Sequence, residues 1–535
     1  MTIYETCGSS TIGYSANIYV KYVRRELRSL TTDDREEFLD TLKILYDVNT
    51  IDGQKLYGSN YKSLYYFLSI HVDAAGNPVC DEFHSGAGFL SNHVFLSNYL
   101  EQSLQAVNPK TALHYMEYVN DFSSISYQSH LDNQLDGGSW TELFSSTYFG
   151  ENDPYSGRII NGRWKDTIVP YMTDSFLDQN LINKDKTFFP NEEVLWLTMS
   201  SAHLKSPFGL LRPPWNYNPS PYIGRYNNEA GISVVTNNNI SDFFIGTQCS
   251  DVKEFLTEFV INKNLDSYLL NVKNYHTKVH DGIGGQGGEN ARSIDNYLIN
   301  NYNLTNDDII VIIQSSSKFY KKYLPLKYYY TSTKYPIYPL VCSENPWDES
   351  TESLSNVDFP SCQCNDYYYQ SDDNLNTLIK IYFDKFAFES TIQYNSIKKI
   401  MALDYTNKLN VMKKLCSRLG YDGDMVGSAS AIDPIFWVSH GSVEKLYQKL
   451  IINDLFLDLQ YTASSSSCSG HAPWGKKDWL NGYKFINTDI EVNEYTNAQL
   501  SDVLNPNSIL YRDLISYVYD NAKSNCEDVE ELLSN

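Results

Sequence analysis

The chain has no apolar run approaching the ~20 residues that a membrane-spanning helix needs. It is also short of positive charge: Lys and Arg number 42 against 65 Asp and Glu, a net charge of −23 over 535 residues. Such an acidic surface repels phosphate backbones and anionic membranes, so neither nucleic acid nor lipid is expected as a partner. The N-terminus "MTIYETCGSSTIGYSANIYV" lacks a basic start followed by an apolar stretch, so it does not read as a signal peptide. The expected location is cytoplasmic, or secreted or vesicular if a leader has been removed. Cysteine is sparse and odd in number, nine in all, with no C-x-x-C pair to suggest structural zinc and too few for a disulfide scaffold of this size.

What is present suffices for a large core. Hydrophobic residues make up 42% and charged ones 20% of the chain, and 44 tyrosines give a hydrogen-bonding surface. Residues 20–47 read as two helices joined near "LTTDD", with Thr32 as cap and acids after it. Residues 61–118 also carry helical periodicity. From about 123 to 250 the chain turns irregular, rich in Gly, Pro, Ser, Asn and aromatics. Periodicity returns at 252–281, a second irregular block fills about 320–370, and helices resume over 373–455. Asp433 and Pro434 predict a helix start, as cap and first helical residue.

Six of the ten histidines fall into a pattern. His276 and His280 in "NYHTKVHDGIGG" are four apart, on one helix face, before a Gly-Gly that ends the helix. Thr277 stands where the zinc-protease signature H-E-x-x-H would have glutamate, which removes that reading. His71, His84 and His93 lie close together upstream, and His440 sits on an apolar stripe with Phe436, Trp437 and Val443. Two groups of three histidines suit two adjacent copper ions. Neutral imidazole is a favoured copper ligand, and three nitrogens per ion leave room for oxygen. Two such ions can share the two-electron reduction of dioxygen, and anionic ligands would hinder the return to Cu(I). His114, His130, His203 and His471 have no motif partners and read as structural or surface residues.

These motifs resemble the type-3 copper family of tyrosinases, catechol oxidases and haemocyanins. His84, Phe89, His93 and Glu101 match the spacing of the family's first copper motif, and "NPKTALHYMEY" resembles the segment that follows it. "HTKVHDGIGG" resembles H-N-x-x-H-x-x-x-G-G, and "DPIFWVSHGSVEKLY" resembles the helix bearing the third ligand of the second copper. "VRREL" and "YVYD" (517–520) resemble the arginine and Tyr-x-Tyr pair that close the family domain.

The resemblance implies a mainly α fold: a four-helix core holding a dinuclear copper site, with long irregular insertions. The copper domain would run over 20–520, with insertions at about 123–250 and 320–370, an N-terminal extension at 1–19 and a C-terminal tail at 521–535. His71, His84 and His93 would hold one copper, and His276, His280 and His440 the other. The partners would be O2 and small phenolic substrates, oxidised to o-quinones. A haemocyanin-like oxygen carrier without turnover is the alternative.

Thr277, Asp281, Met425, Val426 and Phe436 fall where family members admit the substrate ring, with Asp424 offering a further carboxylate that would favour amines. Glu101 and Glu444 are the candidates to orient the ligands. The chain departs from the family at Glu82, where some members carry a cysteine that forms a thioether, and Cys80 is misplaced for one. It departs also at Asn92, Val94, Ser439 and Thr277, the last replacing an asparagine common in phenol-hydroxylating members. That change is expected to favour catechols over phenols.

Overall fold

The structure, a computed structural model, describes residues 2–15, 18–75, 82–117, 142–182, 222–225, 235–240, 253–287, 337–383, 391–417 and 421–534 with short gaps, and isolated positions between 298 and 319. His130, His203, Cys80 and most of 183–250 lie outside the described residues. The fold is mainly helical. Strands are short and come in pairs, beginning with a hairpin of Thr2–Cys7 and Ser10–Ser15.

The first expected helix is not there. Residues Tyr22–Arg24 form a strand, β1, and Leu27–Ser29 a single 3-10 turn. The partner of β1 is strand β4, Tyr517–Tyr519, paired in parallel with Tyr22 opposite Tyr517. Local periodicity cannot reveal a partner at the far end of the chain. Helix α1, Thr32–Asp47, starts one residue earlier than its expected cap implied: Thr31 Oγ1 accepts the Asp34 N–H. Phe38, Leu39, Leu42 and Leu45 then bury one face.

Helices α2 (Leu64–Ala75), α3 (Gly88–Val107), α4 (Leu265–Gly284) and α8 (Pro434–Ile452) share one large apolar core with α1. Nearly every residue of α3 and α8 is buried, the mark of helices at the centre of a large domain. Asp433 caps α8 as expected, accepting from the Ile435 N–H. Its carboxylate has a second task that local reading missed. Arg225, fully buried, makes a two-pronged bond to it at 2.6 and 2.9 Å, tying the first irregular block to the base of α8. The final segment is more than a tail, because Val529 and Leu533 of helix Glu527–Ser534 pack into the same core.

The second insertion is larger than its irregular part. It leaves at Gln286–Gly287 and returns at Tyr421–Asp422, two short stretches paired antiparallel as a stem. Between them α5 (Asp372–Tyr382), α6 (Thr391–Met401), α7 (Tyr405–Ser417) and the paired strands β2 (Leu340–Cys342) and β3 (Cys362–Cys364) surround a second apolar cluster. Cys364–Cys416 is a disulfide in that cluster, and Cys468 and Cys526 are disulfide-bonded as well. Sparse cysteine thus still supplies cross-links.

Cys364→Ser should release up to about 4 kcal/mol from the second cluster, the loop-closure entropy for a span of this length. Denaturant unfolding followed by a probe in 340–416 should shift to lower midpoint, with metal uptake at the histidine triads unchanged. Loss of the metal sites would show that the two cores unfold as one.

His114 is a core residue, as its lack of motif partners suggests. It is buried, its Nδ1 accepts the Arg25 N–H at 3.1 Å, and its ring meets Phe38 edge-on. Burial, helped by the charge of Arg25, pushes its pKa down to about 3. The unfolded chain binds this proton near pH 6.5, and the folded chain resists it. His114 therefore contributes stability in full above pH 6.5 that is lost as pH falls toward 3, at up to about 1.4 kcal/mol per pH unit. Urea midpoints between pH 7 and 4 should fall less steeply in His114→Gln than in the parent. Parallel slopes would contradict this.

Candidate metal centre

Helices α2, α3, α4 and α8 bring five of the six histidines together. His71 comes from α2, His93 from α3, His276 and His280 from successive turns of α4, and His440 from α8; His84 comes from the segment before α3. They form two groups, His71–His84–His93 and His276–His280–His440, with one ring nitrogen of each residue lying within 4.8 Å of those of its group. The groups touch: His93 and His440 stack with centroids 4.3 Å apart and planes 18° apart. The structure therefore brings together the same two sets of three that the resemblance implies. Neither contains a carboxylate or thiolate among the described residues.

The second nitrogens show how the rings are aimed. His71 Nδ1 lies 2.7 Å from the Ser428 carbonyl, His93 Nδ1 2.7 Å from Phe89 O, His280 Nδ1 2.7 Å from Met425 O and His440 Nδ1 2.8 Å from Phe436 O. A carbonyl only accepts, so each Nδ1 carries the proton and each Nε2 keeps its lone pair. Metal-binding imidazoles are oriented by this kind of bond. Glu101 and Glu444, the expected orienting carboxylates, do something else. They hold the buried Arg24, which also stacks 3.3 Å over Tyr517 and bonds Tyr519. Backbone carbonyls take the orienting role, and sequence reading has no signal for them.

Two of these lone pairs, on His280 and His440, then face the Nε2 of His276. His276 Nε2 is 2.8 Å from His280 Nε2 and 3.0 Å from His440 Nε2. One proton on His276 Nε2 points at only one of the two, whereas one ion ~2 Å from each nitrogen separates all three by about this distance. In the other group His93 Nε2 is buried with no hydrogen-bond partner. Such an orphaned acceptor is costly unless something binds it. Burial, together with the neighbouring imidazoles, holds His93, His276 and His440 well below the ordinary histidine pKa; burial takes His280 down to about 4. All four are neutral at pH 7, the form a metal requires. The residues fit two metal ions.

The expected substrate-side residues fare unevenly. Phe436 is buried with its ring 4.1 Å from His440 and 5.0 Å from His71, a wall shared by both groups. Phe83, missed by sequence reading although adjacent to His84, is a second wall, 4.8 Å from His71 and 5.0 Å from His93. Met425 is also buried, and its carbonyl accepts from His280 Nδ1. Val426 is half-buried against Gly284, where a Cβ would come within 2.4 Å of it; that close approach explains the glycine at the end of α4.

Thr277 is exposed, and its hydroxyl donates to Lys273 O on its own helix. Asp424 is no exposed carboxylate: it is fully buried and accepts the Gly224 N–H at 2.7 Å. The side chain of Asp281 lies outside the described residues. His84 is half-buried while the other five ligand candidates are buried, so the exposed edge of the centre is at His84.

No model of a known protein family matches the chain, and no curated protein matches its sequence.

Proposed function

We propose that the protein is a type-3 dinuclear copper oxidase that uses O2 to convert catechols, and more slowly phenols, to o-quinones, its four ligand-bearing helices forming the copper core. The observation that carries this reading is the pair of all-imidazole triads in contact through the His93–His440 stack. Copper bound there would supply the redox chemistry, taking two electrons from the organic substrate and passing them to dioxygen. Six imidazoles with no anionic ligand among the described residues suit an ion that must return to Cu(I). Phe83, Phe89 and Phe436 line the rings and keep water from them. A phenolic ring enters beside His84, the exposed edge.

Phenol hydroxylation needs the incoming hydroxyl deprotonated, and a positioned base is worth ~10²-fold or more. Thr277 donates its hydroxyl hydrogen to Lys273 O on its own helix, so that hydrogen is not offered to a water held for that purpose. Copper-loaded protein should therefore turn over dopamine at least about tenfold faster than tyramine, as judged from quinone formation under matched conditions. Comparable rates would overturn the catechol preference. Reversible oxygen uptake with neither substrate consumed would instead mark a haemocyanin-like carrier.

A further inference from the structure

The two triads are oriented in two different ways. His93 and His440 donate to carbonyls four residues back on their own helices, Phe89 and Phe436. These bonds persist wherever the helices form. His71 and His280 belong to different triads and different helices, yet both donate to a single short loop, through Ser428 O and Met425 O. That loop has no regular structure long enough to hold itself. It consists of one 3-10 turn, Asp424–Val426, and the Gly427–Ser430 bend that follows it.

Its anchor lies outside it. Asp424, fully buried, accepts the Gly224 N–H on its carboxylate at 2.7 Å, and its own N–H donates to Gly224 O at 2.8 Å. The next residue, Arg225, is in turn fixed to Asp433 at the start of α8. A two-bond clasp thus joins the loop to a strut from the first irregular block, one residue before the carbonyl that aims His280.

We propose that Asp424 is the positioning residue of both metal sites: through Met425 and Ser428 it sets the ring orientation of one ligand in each triad. The inference rests on the reading of the triads as metal sites, but it concerns ring geometry that exists without metal. An orienting bond to a metal-bound histidine is typically worth 10–100-fold in metal affinity. Losing the clasp should weaken both sites together, although Asp424 touches neither.

The test has two readouts on the full-length protein. The first is the set of ring Nδ1–H signals in ¹⁵N-histidine-labelled, metal-free protein, assigned by His→Gln variants. Asp424→Ala should shift or broaden the His71 and His280 signals and leave those of His93 and His440 in place. The second is copper titration, in which Asp424→Ala should weaken uptake at both triads by roughly tenfold or more, and Asp424→Asn, which keeps an acceptor for the Gly224 N–H, should recover most of that loss.

Should Asp424→Ala fail to fold, Asp424→Ser, whose shorter side chain draws the acceptor back from the Gly224 N–H, decides in its place: shifts confined to His71 and His280 support the proposal. Equal movement of all four rings in the folded variant, or of none, overturns it. If the parent binds no copper while its ring signals respond as expected, the metal reading fails and the clasp stands. If copper binds normally in both variants and the rings are unmoved, the clasp fails and the metal reading stands.

Discussion

Replacing His440 by alanine should leave the copper-loaded protein with one ion per chain where the parent has two, and should abolish oxidase activity. His440 Nε2 is one of three nitrogens converging on the second site, and its ring stacks on His93 of the first. Two imidazoles remain for the second ion, too few to hold it against competing water, and shared two-electron chemistry cannot proceed on one ion. The rate should fall by on the order of 10³-fold or more, as for loss of an essential metal. Alanine also opens a cavity beside Phe436, so part of any stability loss, ~2 kcal/mol, is packing. His440→Gln separates the two effects, because it fills space without an imidazole and should lose the metal all the same. Two ions and full turnover in either variant would refute the site.

The second large effect is on stability. Arg24 is buried at 1% exposure between Glu101 and Glu444, bonded also to Asn98 and Tyr519 and stacked on Tyr517. Burial pushes the Glu444 pKa up, opposed by the Arg24 charge and by the Tyr517 and Tyr519 hydroxyls. Removing the guanidinium leaves two carboxylates without their counter-ion in the core. Truncating one partner of a buried pair costs about 3–5 kcal/mol. Arg24→Ala should lower the unfolding free energy by that order and loosen both chain ends, because β1 and β4 meet at this residue. Arg24→Ala/Glu444→Gln should recover part of the loss by removing one stranded charge. A cost under about 1 kcal/mol for Arg24→Ala would mean that water or a rearranged side chain replaces the guanidinium.

The triads were legible because five of their six histidines fall in short motifs that resemble a known family. His276 and His280 are one helical turn apart before a glycine pair, and His440 follows a cap at Asp433 and a proline at the first helical position. The helices that carry the ligands were readable because amphipathic spacing is local. What escaped is long-range. β1 carries a helical pattern locally, and only its partner β4, near the other end of the chain, makes it a strand. Nothing local to Glu101 or Glu444 shows that Arg24 collects both.

The Arg225–Asp433 pair and the Asp424–Gly224 clasp join segments about two hundred residues apart. The carbonyls of Met425 and Ser428 are backbone atoms that any residue would offer. The second insertion shows in the sequence as its irregular block, but its own core of Leu375, Leu378, Ile379 and Leu415 lies in helices that look like a continuation of the first domain.

The account stands or falls on whether the triads hold copper that reacts with oxygen. The direct measurement is copper content per chain together with the absorption spectrum of the reduced, copper-loaded protein before and after oxygen is admitted. Two coppers per chain, with an oxygen-dependent band at the blue edge of the visible that fades on deoxygenation, is the predicted result. One copper or none at saturating metal, or two coppers with no spectral response to oxygen, would contradict it.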